Sequence, residues 1–141
     1  MFIKFKKLKK EAIMPKYAHP GDAGMDVYSI EKVTLKPGQQ HTFWLGFALE
    51  LPRGYVALVW DKGGMAHKYG IHTMGGVLDS CYRGEVIVIA INLSKKAYTF
   101  NKGDKVAQYL IQKVETIKLK VVDKLSDTTR GGGRLGSTGK K

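Results

Sequence analysis

The sequence is short of cysteine: Cys81 is the only one in 141 residues. That excludes an intramolecular disulfide and fits a reducing, cytoplasmic setting. Long apolar runs are missing as well. The longest, 86–91, has the length of a strand, far below the roughly 18 residues of a membrane-crossing helix, so no membrane partner is expected. Acidic residues are scarce, with 12 Asp and Glu against 24 Lys and Arg, a formal charge of +12. Nucleic acid, a membrane surface or a small polyanion would each suit that excess. The lysines are spread over the whole chain, which also fits a solvated basic surface. No run of aromatics interleaves with them, which argues against a nucleic-acid-binding barrel. There is no internal repeat, and only 61–69, DKGGMAHKY, suits a turn or two of helix. The N-terminal MFIKFKKLKK alternates apolar and basic residues instead of leading into an apolar block, so it reads as a strand and not as a secretory leader.

What is present is strand-like. At this length the chain reads as one domain, able to bury roughly two thirds of its unfolded surface. Residues 2–8 alternate with period 2, as a half-buried strand near a sheet edge does. Further strands are expected at 33–35, 42–51, 55–60, 86–93, 98–100, 106–114 and 117–122, punctuated by Lys36-Pro37-Gly38, Pro52-Arg53-Gly54 and Asn101-Lys102-Gly103-Asp104. The fold class is all-β, a barrel or sandwich. From Ser126 the composition turns glycine-rich and nearly free of large apolar residues. The chain thus divides into a β-barrel body, 1–125, and a flexible arm, 126–141, that carries Arg130, Ser137 and Thr138 among accessible amides, the inventory of a phosphate-wrapping loop.

The stretch 70–85, GIHTMGGVLDSCYRGE, reads as a hairpin pocket: glycines between two strands let a ligand approach the backbone, and Asp79 is a buried-looking carboxylate at the tip. Cys81 beside it reads as a space-filler and not as a nucleophile.

Five segments resemble, in order, the five motifs of the homotrimeric dUTPase family: AHPGDAGMDVYS (18–29), DKGGMAHKYGI (61–71), GGVLDSCYRGEV (75–86), KGDKVAQYLIQKV (102–114) and RGGGRLGSTG (130–139). The resemblance implies a distorted jelly-roll-like (β-clip) subunit and a homotrimer with shared active sites, closed by the C-terminal arm. It implies hydrolysis of dUTP to dUMP and pyrophosphate with Mg²⁺, a reaction that supplies dUMP for dTMP synthesis and keeps uracil out of DNA.

It also implies roles for residues. Asp79 matches the carboxylate that activates water; an aspartate is ionised at neutral pH and ready to take a proton. Tyr82 matches the aromatic under the deoxyribose, which leaves no room for a 2′-hydroxyl. The backbone of Gly75, Gly76, Val77 and Leu78 matches the reader of the uracil edge. Lys62, Gly63, Gly64 and Gln108 match the phosphate side, and Arg130 with Gly136, Ser137 and Thr138 matches the γ-phosphate clamp. Asp26 matches an acid that reaches the Mg²⁺ site through water.

Lys62-Gly63-Gly64 departs from the family's usual Arg-Ser-Ser or Arg-Ser-Gly. Lysine keeps the charge and loses the bidentate fork, and Gly63 lacks a hydroxyl donor. Leu135 stands where an aromatic usually stacks on uracil. The departure at Gly63 leaves open a weakly active or non-catalytic nucleotide-binding regulator. The dCTP deaminases share the fold but need a glutamate where this chain has Ile89.

Overall fold

A computed structural model describes residues 2–134. Eleven strands and one helix follow in order: β1 (Lys4–Lys7), β2 (Gly24–Tyr28), β3 (Val33–Leu35), β4 (Gln40–Trp44), β5 (Phe47–Glu50), β6 (Tyr55–Trp60), α1 (Gly63–Tyr69), β7 (Ile71–Met74), β8 (Val77–Asp79), β9 (Ile87–Asn92), β10 (Tyr98–Phe100) and β11 (Lys105–Lys113). The strands form four antiparallel sheets, β1-β5, β10-β3, β2-β11-β6-β8 and β4-β9-β7. Among the described residues none of these sheets closes on itself, so the all-β body is jelly-roll-like packing of sheets, not one continuous barrel wall. The single helix lies in the stretch where the sequence left room for one.

Period-2 patterning explains how the sheets meet. In β9, Val88, Ala90 and Asn92 are buried while Ile87, Ile89 and Ile91 are half-buried, so alternate side chains enter the core. The core joins Val27, Leu35, Phe43, Leu45, Phe47, Val88, Phe100 and Tyr109, with Phe43 edge-on to Phe100 at 4.9 Å between ring centres. Three polar residues are buried among the described ones, Asp26, Ser29 and Asn92. Asn92 donates Nδ2 to the carbonyls of Leu35 (2.9 Å) and Lys96 (2.8 Å), and its Oδ1 accepts from the amide and hydroxyl of Ser94. A buried amide so satisfied fixes the turn after β9 at little cost.

Two sequence expectations change. The run 42–51 is two strands, because Gly46 stands between them at φ +74°. A Cβ there would meet Lys9 Cβ at 3.0 Å and Ile30 Cδ1 at 3.1 Å, and the Gly46 carbonyl accepts both the Leu8 and Lys9 amides. The break sends β4 to β9 and β5 to β1. The expected strand at 117–122 makes no ladder among the described residues; Ile117, Leu119 and Val121 are 74%, 91% and 96% exposed. Its alternation is that of a strand, but the single chain offers its backbone no pairing partner.

Gly46→Ala combines a left-handed backbone with overpacking and is expected to cost about 2 kcal/mol. Urea unfolding reads it as a lower midpoint at unchanged slope; an unmoved midpoint refutes this account of the break.

Candidate active site

Strands β7 and β8 leave the Gly75-Gly76 turn in different directions. β7 pairs with β9 and β8 with β6, so the expected hairpin is splayed between two sheets. Both glycines have positive φ, +71° and +115°, and a Cβ on Gly76 would meet the Val59 carbonyl at 3.0 Å. The space between the arms is a cleft of about 300 Å³ lined by Gly75, Gly76, Val77, Leu78, Asp79 and Tyr82, together with Ile87, Ile89 and Tyr109. Six of the sequence-expected residues thus meet in one place. Strand β8 is the outer member of its sheet, so its far edge carries backbone groups outside the ladder.

Asp79 is exposed, contrary to its buried look in the sequence. It is the last residue of β8, opposite Val56, and its carbonyl accepts the Tyr82 amide at 3.1 Å. The turn leaves its carboxylate facing solvent, while Arg83 braces the turn through the carbonyls of Ser80 (2.7 Å) and Tyr82 (2.8 Å). Cys81 is exposed and fills no space. The Tyr82 ring is folded back, its hydroxyl donating to the Glu85 carbonyl at 3.0 Å. Glu85 also lines the cleft, but its Oε1 accepts the Gly46 amide at 2.7 Å and pairs with Lys9 at 3.3 Å, so it serves the fold. Ile89 puts an apolar side chain in the cleft.

Lys62 and Gln108 line a second cleft of about 460 Å³, with His19, Asp22, Gly24 and Lys105. It shares no lining residue with the first. Beside it lies Asp26, 1% exposed. The Lys62 ammonium donates to its Oδ1. Among the described residues Oδ2 has no well-directed hydrogen bond, only the Lys105 charge at 2.6 Å. Burial pushes the Asp26 carboxyl upward, but its contacts with Lys105 and Lys62 and their charges outweigh that and hold it below the ordinary carboxylate range. Gln108 lies opposite Asp26 across the β2-β11 ladder and donates Nε2 to the Asp61 carbonyl at 2.8 Å. Gly63 and Gly64 open α1 behind Lys62, without a side-chain cap, and a Cβ on either would meet nothing within 4 Å. The missing serine hydroxyl is therefore not a matter of space.

Two residues escaped the sequence reading. Lys105 and Gln108 are three apart, which places them on opposite faces of a regular strand. A register shift between Lys105 and Ala107 brings both to the same cleft, and nothing in the sequence announces that bulge. Asp61 ties the loop before α1 to β7: Oδ1 accepts the Thr73 amide (2.6 Å) and hydroxyl (2.7 Å), and Oδ2 meets His72 Nδ1 at 2.7 Å. Burial again pushes its carboxyl up, and the bonds from His72 and Thr73 bring it below the ordinary value. Arg130 donates Nε to the Gly133 carbonyl at 2.8 Å, within the arm itself. Leu135, Gly136, Ser137 and Thr138 lie outside the described residues.

No group of three or more His, Cys, Asp or Glu among the described residues is placed to hold a metal ion. Asp26 faces Gln108 across the ladder, and its two oxygens already face ammonium groups. Buried and paired in this way, Asp26 offers a cation no direct bond, so this donor set fits Mg²⁺ only as an ion carried mainly by phosphate oxygens and water.

A family model described as dUTPase matches residues 10–139. The chain belongs to the dUTPase family. It is 42% identical over 142 residues to the deoxyuridine 5′-triphosphate nucleotidohydrolase of Nautilia profundicola, covering 99% of this chain and 100% of the relative. It is 41% identical over 136 residues to that of Clostridium kluyveri, covering 95% of each. Among solved structures, a Staphylococcus bacteriophage 80alpha dUTPase with dUpNHpp superposes with a TM-score of 0.92 at 27% identity, over 98% of both chains. A dUTPase from phage phi11 of S. aureus, whose structure concerns the coordination of a structural Mg(II) ion, superposes at 0.83 and 26% identity, over 90% of this chain and all of that one. The fold expected of a dUTPase from the five motifs is the fold found.

Asp26 and Asp61 carry a pH signature. Both folded pKa values lie below the unfolded aspartate value of about 3.9, so their stabilisation is complete above it and is lost as pH falls through the lowered folded values. The thermal midpoint is expected to be level down to about pH 5 and to fall below about pH 4. Asp61→Asn should flatten that fall, and an identical acid limb in the variant overturns the assignment.

Proposed function

We propose that this chain hydrolyses dUTP to dUMP and pyrophosphate, with Asp79 as the base. The observation that carries the reading is that Asp79, Tyr82 and the Gly75-Gly76 turn line one cleft, in a chain matched to dUTPases along nearly its whole length. Asp79 takes a proton from water as the water oxygen bonds to the α-phosphorus, and the bond to the bridging oxygen breaks to release pyrophosphate. Its exposure suits that task, since a water molecule needs access to the carboxylate. Backbone groups on the free edge of β8 (Val77, Leu78) and at Gly75-Gly76 read the uracil edge. Tyr82 lies against the deoxyribose and disfavours a 2′-hydroxyl.

On the phosphate side, Lys62 and Gln108 hold the triphosphate, joined by Lys105. Arg130 is assigned to the γ-phosphate within the arm 126–141, with Gly136, Ser137 and Thr138, and Leu135 covers the base. Mg²⁺, when bound, would draw charge from the triphosphate and sharpen the leaving group. The residues of this chain hold the triphosphate in place and keep Asp26 in reach of the hydration shell. The reaction supplies dUMP for dTMP synthesis and keeps uracil out of DNA. The single cysteine and the nucleotide substrate support a cytoplasmic location.

A homotrimer with shared sites accounts for three further features. The base-side and phosphate-side clefts have no lining residue in common. Val77, on the outer strand β8, is 69% exposed, and Ile117, Leu119, Val121 and Leu125 present apolar side chains to solvent with no ladder of their own. Pairing the 117–122 segment with another subunit would satisfy its backbone and cover these side chains.

Purified protein with dUTP and Mg²⁺ is expected to release pyrophosphate, and Asp79→Asn to lower kcat by about 10²–10⁴ with KM little changed. Release no faster than background from the parent chain would favour the non-catalytic binder left open by Gly63; an unchanged rate in the variant would place the base elsewhere. Sedimentation equilibrium should give three times the chain mass, and Ile117→Asp with Leu119→Asp should shift it toward monomer. A monomeric parent chain sinks the shared-site reading.

A further inference from the structure

We propose that Gly24 and Gly84 are positioning residues, whose missing side chains form the seats that hold Gln108 and Tyr82. Neither glycine has a positive φ, so neither is required by its backbone. What each provides is space. A Cβ on Gly84 would lie 2.2 Å from the Tyr82 hydroxyl oxygen, 2.5 Å from Cζ and 2.9 Å from Cε2. The phenol rests on the bare Cα of Gly84, and its hydroxyl reaches the Glu85 carbonyl at 3.0 Å only from there. A Cβ on Gly24 would lie 2.4 Å from Gln108 Oε1 and 2.9 Å from Cδ.

The second seat follows from register. Gln108 faces Asp26 across the ladder, and Gly24 is two residues from Asp26 on the same face, so the amide leans diagonally over Gly24. From that position its Nε2 reaches the Asp61 carbonyl at 2.8 Å. At both seats the atoms a methyl group would strike are the ends of side chains, not backbone. Alanine would therefore displace the tyrosine or the glutamine and leave the sheets standing. Gly24 lines the cleft of Gln108, while Gly84 seats a tyrosine that lines the other cleft, so the two seats govern different parts of catalysis. The consequence for turnover rests on Tyr82 facing the sugar and Gln108 the phosphates.

The experiment is a pair of single substitutions, Gly84→Ala and Gly24→Ala, each assayed with dUTP and UTP, with Tyr82→Ala and Gln108→Ala as references. Gly84→Ala is expected to lower the dUTP-over-UTP ratio of kcat/KM by about tenfold, the equivalent of one lost contact of ordinary strength. Gly24→Ala should raise KM for dUTP by a similar factor, reproduce Gln108→Ala and leave the ratio alone. Crystal structures of the variants read the seats directly: the Tyr82 hydroxyl should leave the Glu85 carbonyl, and Gln108 should leave Asp61. Unmoved side chains overturn the proposal whatever the kinetics. If Tyr82→Ala itself leaves the ratio unchanged, the sugar assignment fails, while a displaced ring in Gly84→Ala still upholds the seat.

Discussion

The site is organised around one buried carboxylate held between two lysines. Asp26 sits on β2, Lys62 on the loop after β6 and Lys105 at the start of β11, so three consecutive neighbours in the four-stranded sheet meet at one charge. Burying an unpaired carboxylate costs several kcal/mol, and breaking a buried pair by removing one partner typically costs about 3–5 kcal/mol. The two ammonium groups are partly exposed and the carboxylate is not, so the arrangement pins the cations and leaves their outer faces to solvent. A basic chain thereby holds two positive charges side by side, ready for a polyanion, without letting them repel each other out of the cleft.

Attached to that pivot is a mechanical one. Asp61 precedes Lys62, its carboxylate binds Thr73 and His72 on β7, and its carbonyl receives Gln108 from β11. The proposed phosphate-side residues are therefore anchored to the strand that leads into the Gly75-Gly76 turn. Gly63 and Gly64, with no side chains and no cap, would otherwise leave the loop free to fluctuate. The exposed carboxylate of Asp79 and the buried one of Asp26 are thus tied into one frame even though the two clefts have no lining residue in common.

Much of this was legible beforehand because the signals are local. Period-2 alternation marked β1, a short continuous apolar run marked β9, Pro-Gly punctuation marked the turns, and the Asp104 turn closes as expected, with the Asn101 amide on the Asp104 carboxylate at 2.7 Å. The failures share one physical origin, the dependence of a residue's environment on partners distant in sequence. Gly46 breaks a continuous apolar run because Lys9, Ile30 and Ala12 crowd it. Asp79 looked buried because apolar residues flank it, yet it ends an outer strand and faces solvent. Lys105 was hidden by a bulge that reverses its face, and Asp61 by contacts that only folding creates. The segment 117–122 has the alternation of a strand, but a pattern does not supply a pairing partner, and among the described residues it makes no ladder.

The departure at Gly63 can be weighed against the same geometry. An arginine in place of Lys62 would present a planar fork suited to binding one partner well; a lysine ammonium is a compact charge with three donors. Lys62 uses one donor on Asp26 Oδ1, which leaves two for phosphate oxygens on its solvent side. Lys105 adds a second ammonium to the same cleft. The proposed phosphate side thus replaces a fork and a hydroxyl with two point charges sharing one buried counter-ion. It loses directional control over individual oxygens and keeps the total positive charge, so the missing hydroxyl bears on the alignment of the leaving group more than on the capture of the triphosphate.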